Sequence, residues 1–306
     1  MDNKIFNYND DIFVGNFTGN LSSFNNKIFI MTDPYNPLDL PPYTIRVKFS
    51  SGYTPTMGET QTLVDSTNNI WDICNSTSNS WQNLFNNCSA LLEVLGANSS
   101  NVTNMISLFG KCQSLISINL FDTSNVYNMQ GMFNNCTSLH TIPQFNTSNV
   151  TNMEAMFSYC SSLNYVPYLD TSNVTNIGYM FNRCSSLIYV PLFDTSKATI
   201  MQYMFNKCSS LTSIPLFDTS KVINMECMLY NCSSLFSIPL FNTSKVTNMS
   251  QMLIDCFKVE SGALALYQQA SSQTNPPTNH INTFKNCGRD TTPGAAELAQ
   301  IPSDWK

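Results

Sequence analysis

Cysteine and histidine are the residue types best suited to nucleophilic or metal chemistry, and this chain has eleven of the first and two of the second. Cys136 and His140 lie close together in sequence, and a Cys/His pair can make a nucleophile when imidazole takes the thiol proton. His140, however, stands where Ile116, Asn164, Ile188, Thr212 and Phe236 stand at regular intervals along the chain. A variable surface position is the simpler reading. Cys227 and Cys232 alone approach metal-ligand spacing, and no second pair completes a four-ligand zinc site. Asp122, Asp170, Asp194 and Asp218 also share one recurring position and would suit calcium. Asn146 and Asn242 fill that position equally well, which points to turn capping by a short side-chain oxygen. The recurring Asn-x-Ser/Thr triplets read the same way. There is no phosphate-binding glycine loop and no catalytic carboxylate pair, so neither enzyme, metal nor cofactor is expected.

Binding chemistry is more plausible than catalysis. Tyr165 and Tyr189 occupy equivalent positions beside Pro167 and Pro191, with Tyr168 and His140 nearby. Aromatic rings among uncharged polar groups suit a sugar or an extended peptide. The alternative is a pair of solvent-facing rings that only stiffen a sheet.

What must position these residues is a repeat. Cys88, Cys112, Cys136, Cys160, Cys184, Cys208, Cys232 and Cys256 follow one another at intervals of 24 residues. Aligned on them, the windows read M-x-x-M-F-x-x-C-S-S-L-x-x-I-P-x-F-D-T-S-x-V-x-N. A fixed period of this size marks a stacked array in which each unit buries its apolar face only against its neighbours. The eight thiols share one position, so they should form one buried ladder, because free cysteine packs as a small hydrophobe. Bridging between neighbouring rungs stays open. Of the other three cysteines, Cys227 is expected to be the most exposed.

Within one unit, Met201, Met204, Phe205 and Cys208 fall on a single helical stripe, which predicts a short helix with Thr195 and Ser196 at its start. Asn206, like Asn134 and Asn182, is placed to close that helix in the left-handed conformation. Leu211, Ile214 and Leu216 then predict a short inward-facing strand, and Asp218, Thr219 and Ser220 the turn back. Pro143, Pro167, Pro191, Pro215 and Pro239 follow the Ile or Val of each strand, where proline cannot donate to a ladder. The strand is therefore expected to stop there.

The motif C-S-S-L-x-x-I-P followed by F-D-T-S-N-V-x-N-M-x-x-M-F-x-x-C resembles the BspA-type leucine-rich repeat. It is most similar to the repeats common in surface proteins of mycoplasmas and gut bacteria, and in their phages. The resemblance covers residues 81–256. It implies a leucine-rich-repeat solenoid used for adhesion or protein binding, with no catalytic residues to carry over. The chain departs from that pattern in its rigid period, and at Ala198 and Ile200, which replace Val and Asn.

The fold expected is an α/β repeat: a leucine-rich-repeat solenoid of 24-residue period, with parallel strands on one face and short helices on the other, capped at both ends. Residues 25–80 would form a small β-rich cap, residues 81–256 the solenoid, and residues 257–306 a closing segment with a degenerate last repeat. Strict alternation predicts a strand over 43–49. Residues 27–31 and 70–73 are further strand candidates, and 260–271 reads as a helix. The segment 282–287 repeats the F-x-x-C signature out of register, and Trp305 is placed to cover the last layer. Residues 1–24 carry Phe6, Tyr8, Phe13 and Phe17 among Asn and Asp, either as a strand pair against the cap or as an arm that docks on a partner.

Charged residues make up 11% of the chain, against about 25% in an ordinary soluble domain, and the net charge is −6. That excludes a basic footprint for nucleic acid, and no apolar run is long enough to span a membrane. The start, MDNKIFNYNDD, lacks the basic region and apolar stretch of a secretory signal. The expectation is a non-enzymatic structural or attachment protein, most simply a bacteriophage virion component whose partners are other virion proteins. The alternative is a secreted or anchored adhesin at the bacterial cell surface, binding a host protein or glycan.

Overall fold

The computed structural model of the protein describes residues 40–306 and two short segments, β1 (Lys4–Tyr8) and β2 (Asp11–Gly15), which pair antiparallel with Lys4 opposite Gly15. The strand candidate at 27–31 lies outside the described residues.

A five-stranded sheet comes first. It contains β3 (Thr44–Phe49), β4 (Thr60–Asp65), β5 (Ile70–Cys74), β6 (Leu91–Asn98) and β7 (Ser117–Ile118), in the order β4-β5-β3-β6-β7. β3 alternates as a half-buried strand must: Ile45, Val47 and Phe49 are buried while Arg46 and Lys48 reach across to Asp72 and Glu93. β3 is antiparallel to both β5 and β6, but β6 is parallel to β7. β6 therefore belongs to two systems, closing the antiparallel sheet and opening the repeat array.

Beyond β6 the chain runs as rungs, and here the expected helix is corrected. The stretch from Met129 to Cys136 is a chain of tight turns. Met132 N–H donates to Met129 O at 3.1 Å, Asn134 to Gly131 O at 2.9 Å and Cys136 to Phe133 O at 3.0 Å. Gly131 and Asn135 have positive φ, 59° and 61°, as the third residue of a type II turn requires. Every second amide points along the array and not along a helix. Met129, Gly131, Phe133 and Asn135 donate to the carbonyls of Asn152, Glu154, Met156 and Ser158 in the next rung, at 2.7–3.1 Å. The apolar stripe misled because both conformations bury the same four positions; Met129, Met132, Phe133 and Cys136 are all buried. The left-handed residue closing each turn lies one place beyond the Asn expected: Asn135, Arg183 and Lys207 have positive φ. Asn182 and Asn206 are buried instead and bonded to each other, Asn206 Nδ2 donating to Asn182 Oδ1 at 2.7 Å. Thr195 caps no helix; its hydroxyl donates to Asp218 O at 2.8 Å in the following rung, as Thr171 does to Asp194 O at 2.7 Å.

The expected strand face is corrected too. Pairing beyond one hydrogen bond occurs at β6–β7, where Asn119 takes the place held elsewhere by proline and its N–H donates to Val94 O at 2.8 Å, and again where Ser237 bridges Ser261, with Glu260 N–H donating to Phe236 O at 2.8 Å and Ile238 N–H to Ser261 O at 3.0 Å. Between proline-bearing rungs the contact shrinks to single bonds, such as Thr212 N–H to Ile188 O and Phe236 N–H to Thr212 O, both 3.1 Å. The chain then folds on itself, with Phe217 N–H donating to Pro215 O at 3.0 Å. Missing proline donors account for the loss. The continuous parallel ladder runs instead through Asn104, Asn128, Asn152, Asn176, Ile200, Asn224 and Asn248, each bridged to the next. At the Asn positions Oδ1 takes the amide two residues on, at 3.0 Å from Gln130 to Asn128 and 2.9 Å from Glu154 to Asn152, while Ile200 keeps the bridge without that bond.

The core is built of columns. Phe109, Phe133, Phe157, Phe181 and Phe205 stack at 5.5–5.7 Å. Leu216, expected to face inward, is 61% exposed, and Phe217 is buried in its place. The compact bend at Pro215 shifts the alternation by one residue.

At the last step of the ladder Asn248 bridges Asn279, and the longer excursion between them, after Cys256, holds α1 (Ala263–Ser271). This helix starts three residues later than expected, after Gly262, whose φ of 100° breaks the helical path. Phe284 and Cys287 are buried in this further rung. α2 (Thr292–Gln300), which the sequence reading did not anticipate, is capped by Thr291, whose hydroxyl oxygen accepts from Gly294 N–H at 3.1 Å. Trp305 is buried beside Phe284 and Tyr267 and stacks on His280 at 4.1 Å.

Candidate binding surface

Each turn of the rungs sorts its side chains into inward and outward columns, and the outward ones form two distinct surfaces. The first follows the buried Leu of C-x-x-L. Its exposed apolar members are Ile116, Tyr165, Ile188, Tyr189 and Phe236, together with Leu120, Tyr168, Leu192, Leu216 and Leu240 in the position after the proline. The result is an apolar band across six rungs, broken at one by His140, Thr141 and Gln144, all exposed.

Of the residues singled out in the sequence, Tyr165 and Tyr189 do come together, with ring centroids 5.6 Å apart and planes inclined by 51°. Tyr168 is exposed, and its carbonyl accepts the Gln144 amide from the rung before. Pro167 is buried and Pro191 half-buried, so neither presents a flat face beside the rings. His140 is exposed and contributes its carbonyl to Asn164 N–H at 3.3 Å. Phe6 and Tyr8 lie in β1 and Phe13 in β2, while Phe17 is outside the described residues. The Leu120, Leu192, Leu216 and Leu240 column was missed. Its signal was present, since a position held by Leu, Gln and Tyr is too permissive for a packed interior.

Cys136 and His140 do not make a catalytic pair. Cys136 is wholly buried and its thiol donates to Phe109 O at 3.0 Å, 27 residues earlier. Cys112, Cys160, Cys184, Cys208, Cys232 and Cys256 repeat the arrangement on the preceding rung's Phe or Leu carbonyl at 3.0–3.1 Å. Cys88 is buried at the start of the column with Tyr53 Oη 3.7 Å away. Burial pushes the seven ladder thiols from Cys112 to Cys256 up, to about 12 for Cys160 and Cys256, so these seven are protonated and inert at neutral pH. All eleven cysteines are free thiols. The expectation for Cys227 is corrected: it is only 3% exposed, packed beside Gln251 and Tyr203, and Cys74 is the one cysteine with appreciable exposure.

The Asp column caps turns. Asp122, Asp170, Asp194 and Asp218 each accept the N–H two residues on through Oδ1 at 2.9–3.0 Å, and Asn146 and Asn242 do the same at 3.2 and 2.9 Å. For Asp194 and Asp218 these bonds hold the carboxyl below its usual range. No group of three or more metal-ligating side chains occurs among the described residues, and no helix there is long and apolar enough to cross a membrane.

The second surface lies on the turn side. Tyr179 and Tyr203 stack face to face at 4.8 Å with planes 4° apart, and Arg183 sits 5.1 Å above the Tyr159 ring. Tyr203 Oη donates to Glu226 Oε1 at 3.3 Å. Nothing in the helical reading exposed this pair, because the left-handed positions that aim it outward follow from the turns.

Comparison with known proteins gives one family match, to the model described as "Mycoplasma protein of unknown function, DUF285", over residues 79–187 and 166–265. No curated protein matches. Among solved structures the chain is similar to a leucine-rich-repeat protein of T. pallidum, at 19% identity and TM-score 0.42, covering 56% of this chain and 78% of that one. It is also similar to an internalin (inlF) of Listeria monocytogenes at 13% identity and TM-score 0.29, covering 58% of this chain and 59% of the internalin. Both are loose superpositions.

Proposed function

The chain belongs to the family of mycoplasma proteins of unknown function called DUF285, and from that premise we propose that it is a non-catalytic protein-interaction module of leucine-rich-repeat type. The observation that carries this reading is the apolar band. Large side chains such as Leu192 and Leu216, 60% and 61% exposed, recur at equivalent positions on one face of a chain rich in Asn, Ser and Thr. Contiguous exposed apolar surface beyond a few hundred Å² marks an interaction site in soluble proteins. The absence of charge within the band suits a partner that buries it, because no ion needs desolvating. The buried ladder thiols and the turn-capping carboxylates are held in structural hydrogen bonds, which supports a non-catalytic reading of these columns.

In this reading the array is a solenoid capped by the antiparallel sheet at one end and by α1, α2 and Trp305 at the other, with residues 1–24 as a docking arm. The assembly it serves is a bacteriophage virion, in which it is a structural or host-attachment component. An adhesin at the bacterial surface is the alternative. Leu192→Asp with Leu216→Asp tests the band: both sites are exposed, so the melting temperature should hold while partner binding falls at least tenfold. Unchanged binding refutes the assignment. Mass spectrometry of purified particles decides between virion and cell surface. Deleting residues 1–24 should leave a folded array that no longer enters particles.

A further inference from the structure

Outside the rung array, strand edges without a neighbour occur at two places among the described residues. β4 is the outermost strand of the five-stranded sheet and is hydrogen-bonded to β5 on one side only. No backbone bond from another described element reaches its free side. Alternate N–H and C=O groups of Thr60–Asp65 therefore line an open edge, a template for another strand. Such edges are commonly blunted by lysine, proline or inward charge. β4 reads TQTLVD, with neither lysine nor proline, and its one blunting feature is the bulge between Leu63 and Asp65. Leu63 and Val64 are 46% and 41% exposed there. The second place is the β1–β2 hairpin. Its strands bond only to each other, with Ile5 opposite Val14 and Phe6 opposite Phe13. A lone two-stranded hairpin is marginal in water and gains by joining a larger sheet.

We propose that the hairpin of one copy adds to the β4 edge of a second copy, with β1 antiparallel to β4, so that the chain assembles with itself by strand addition. Charge selects β1. It holds Lys4 and no carboxylate, whereas β2 begins with Asp11, and the one charged residue of β4 is Asp65. Charge also selects the direction. With Lys4 opposite Asp65, an antiparallel register sets Ile5 opposite Val64, Phe6 opposite Leu63 and Asn7 opposite Thr62, apolar against apolar and polar against polar. A parallel strand would bring Lys4 to Thr60 and leave Asp65 without a cation. Bonds from Asn68 and Thr67 hold the Asp65 carboxyl below its usual range, so it is charged at neutral pH. Every copy offers one donor and one acceptor, so the contact is exchanged within a pair or passed along a series. The inference rests on the reading of residues 1–24 as a docking arm and is independent of the apolar band.

Sedimentation velocity of the full chain over a range of concentrations tests this. The natural protein should pass from monomer to dimer or larger species as concentration rises. Phe6→Pro removes an amide from β1 and should leave a monomer. Thr62→Lys with Val64→Lys blunts the β4 edge and should do the same. Both β4 sites are exposed, so the melting temperature of that variant should hold. Mixed in equal amounts, the first variant supplies the edge and the second the hairpin, and the mixture should form a one-to-one complex that grows no further. A natural protein that stays monomeric overturns the proposal. So does association that survives either variant, or a mixture that remains monomeric. Entry of the 1–24 deletion into particles is scored separately: loss of entry without self-association keeps the docking arm and rejects a second copy as its receiver.

Discussion

The antiparallel sheet of β3–β6 and the rung array solve the same problem by different means. In the sheet each pairing is individual: Arg46 forks onto Asp72 at 2.7 and 2.8 Å, and Lys48 reaches Glu93 at 2.8 Å, so unlike side chains meet across strands. In the array like meets like. Phenylalanine stacks on phenylalanine, threonine hydroxyls bond the next rung's carbonyl, and cysteine thiols bond the previous one. The sheet is specified by complementarity and the array by translation. A change in the sheet should therefore act locally, and a change in the array should act on the rungs above and below it.

Alkaline pH should separate the two regions most strongly. The seven array thiols from Cys112 to Cys256 are raised by burial, whereas the sheet holds only Cys74. A thiol raised in the folded state keeps its proton after the unfolded chain has lost it. Array stability is thus complete below the unfolded thiol value of about 8.5 and falls as pH rises toward about 12, the folded value for Cys160 and Cys256. At pH 10 Cys160 and Cys256 should each cost about 2 kcal/mol, with the other ladder thiols acting in the same direction. Urea unfolding across pH 7–10.5 checks this, and an array as stable at pH 10 as at pH 7 would contradict it.

Next in size is Phe157→Ala. It removes a ring stacked between Phe133 and Phe181 and should cost about 3–5 kcal/mol. In a translational array it should also split the urea transition into two steps, read by circular dichroism. Asp72→Ala should cost about 2 kcal/mol by leaving the half-buried Arg46 without its carboxylate. The array's transition should be unmoved, because the pair bridges only β3 and β5. The smallest effect is a gain. Ala155 sits at φ 54°, and Ala155→Gly should raise stability by about 0.5–1 kcal/mol, the left-handed strain relieved minus the extra backbone entropy. Differential scanning calorimetry would register it, and a loss of stability would mean that the methyl group is a packing contact.

The repeat, its phase and its buried columns were legible in the sequence, because identical spacing of Met, Phe, Cys and Leu leaves one way to stack them. So were β3, β5 and α1, where alternation or helical spacing stands alone. The candidate surface was legible only in part. Tyr165 and Tyr189 announced themselves as neighbours. The leucine column was hidden because a leucine in a leucine-rich pattern is read as interior.

What the residues determined by themselves is which side chains must be covered, since the transfer of apolar area from water depends on composition and spacing alone. What only the tertiary structure decided is the path of the backbone between them. Met, Met, Phe and Cys at the first, fourth, fifth and eighth positions are buried equally well by a helix or by two linked turns. The choice falls to the amides: a helix satisfies them within the unit, and stacked turns satisfy them on the neighbouring rung. No local propensity records a neighbour 23 residues away, yet Phe133 N–H finds Met156 O there at 2.9 Å. With that choice the tyrosines at left-handed positions come into register, and Tyr179 stacks on Tyr203 at 4.8 Å.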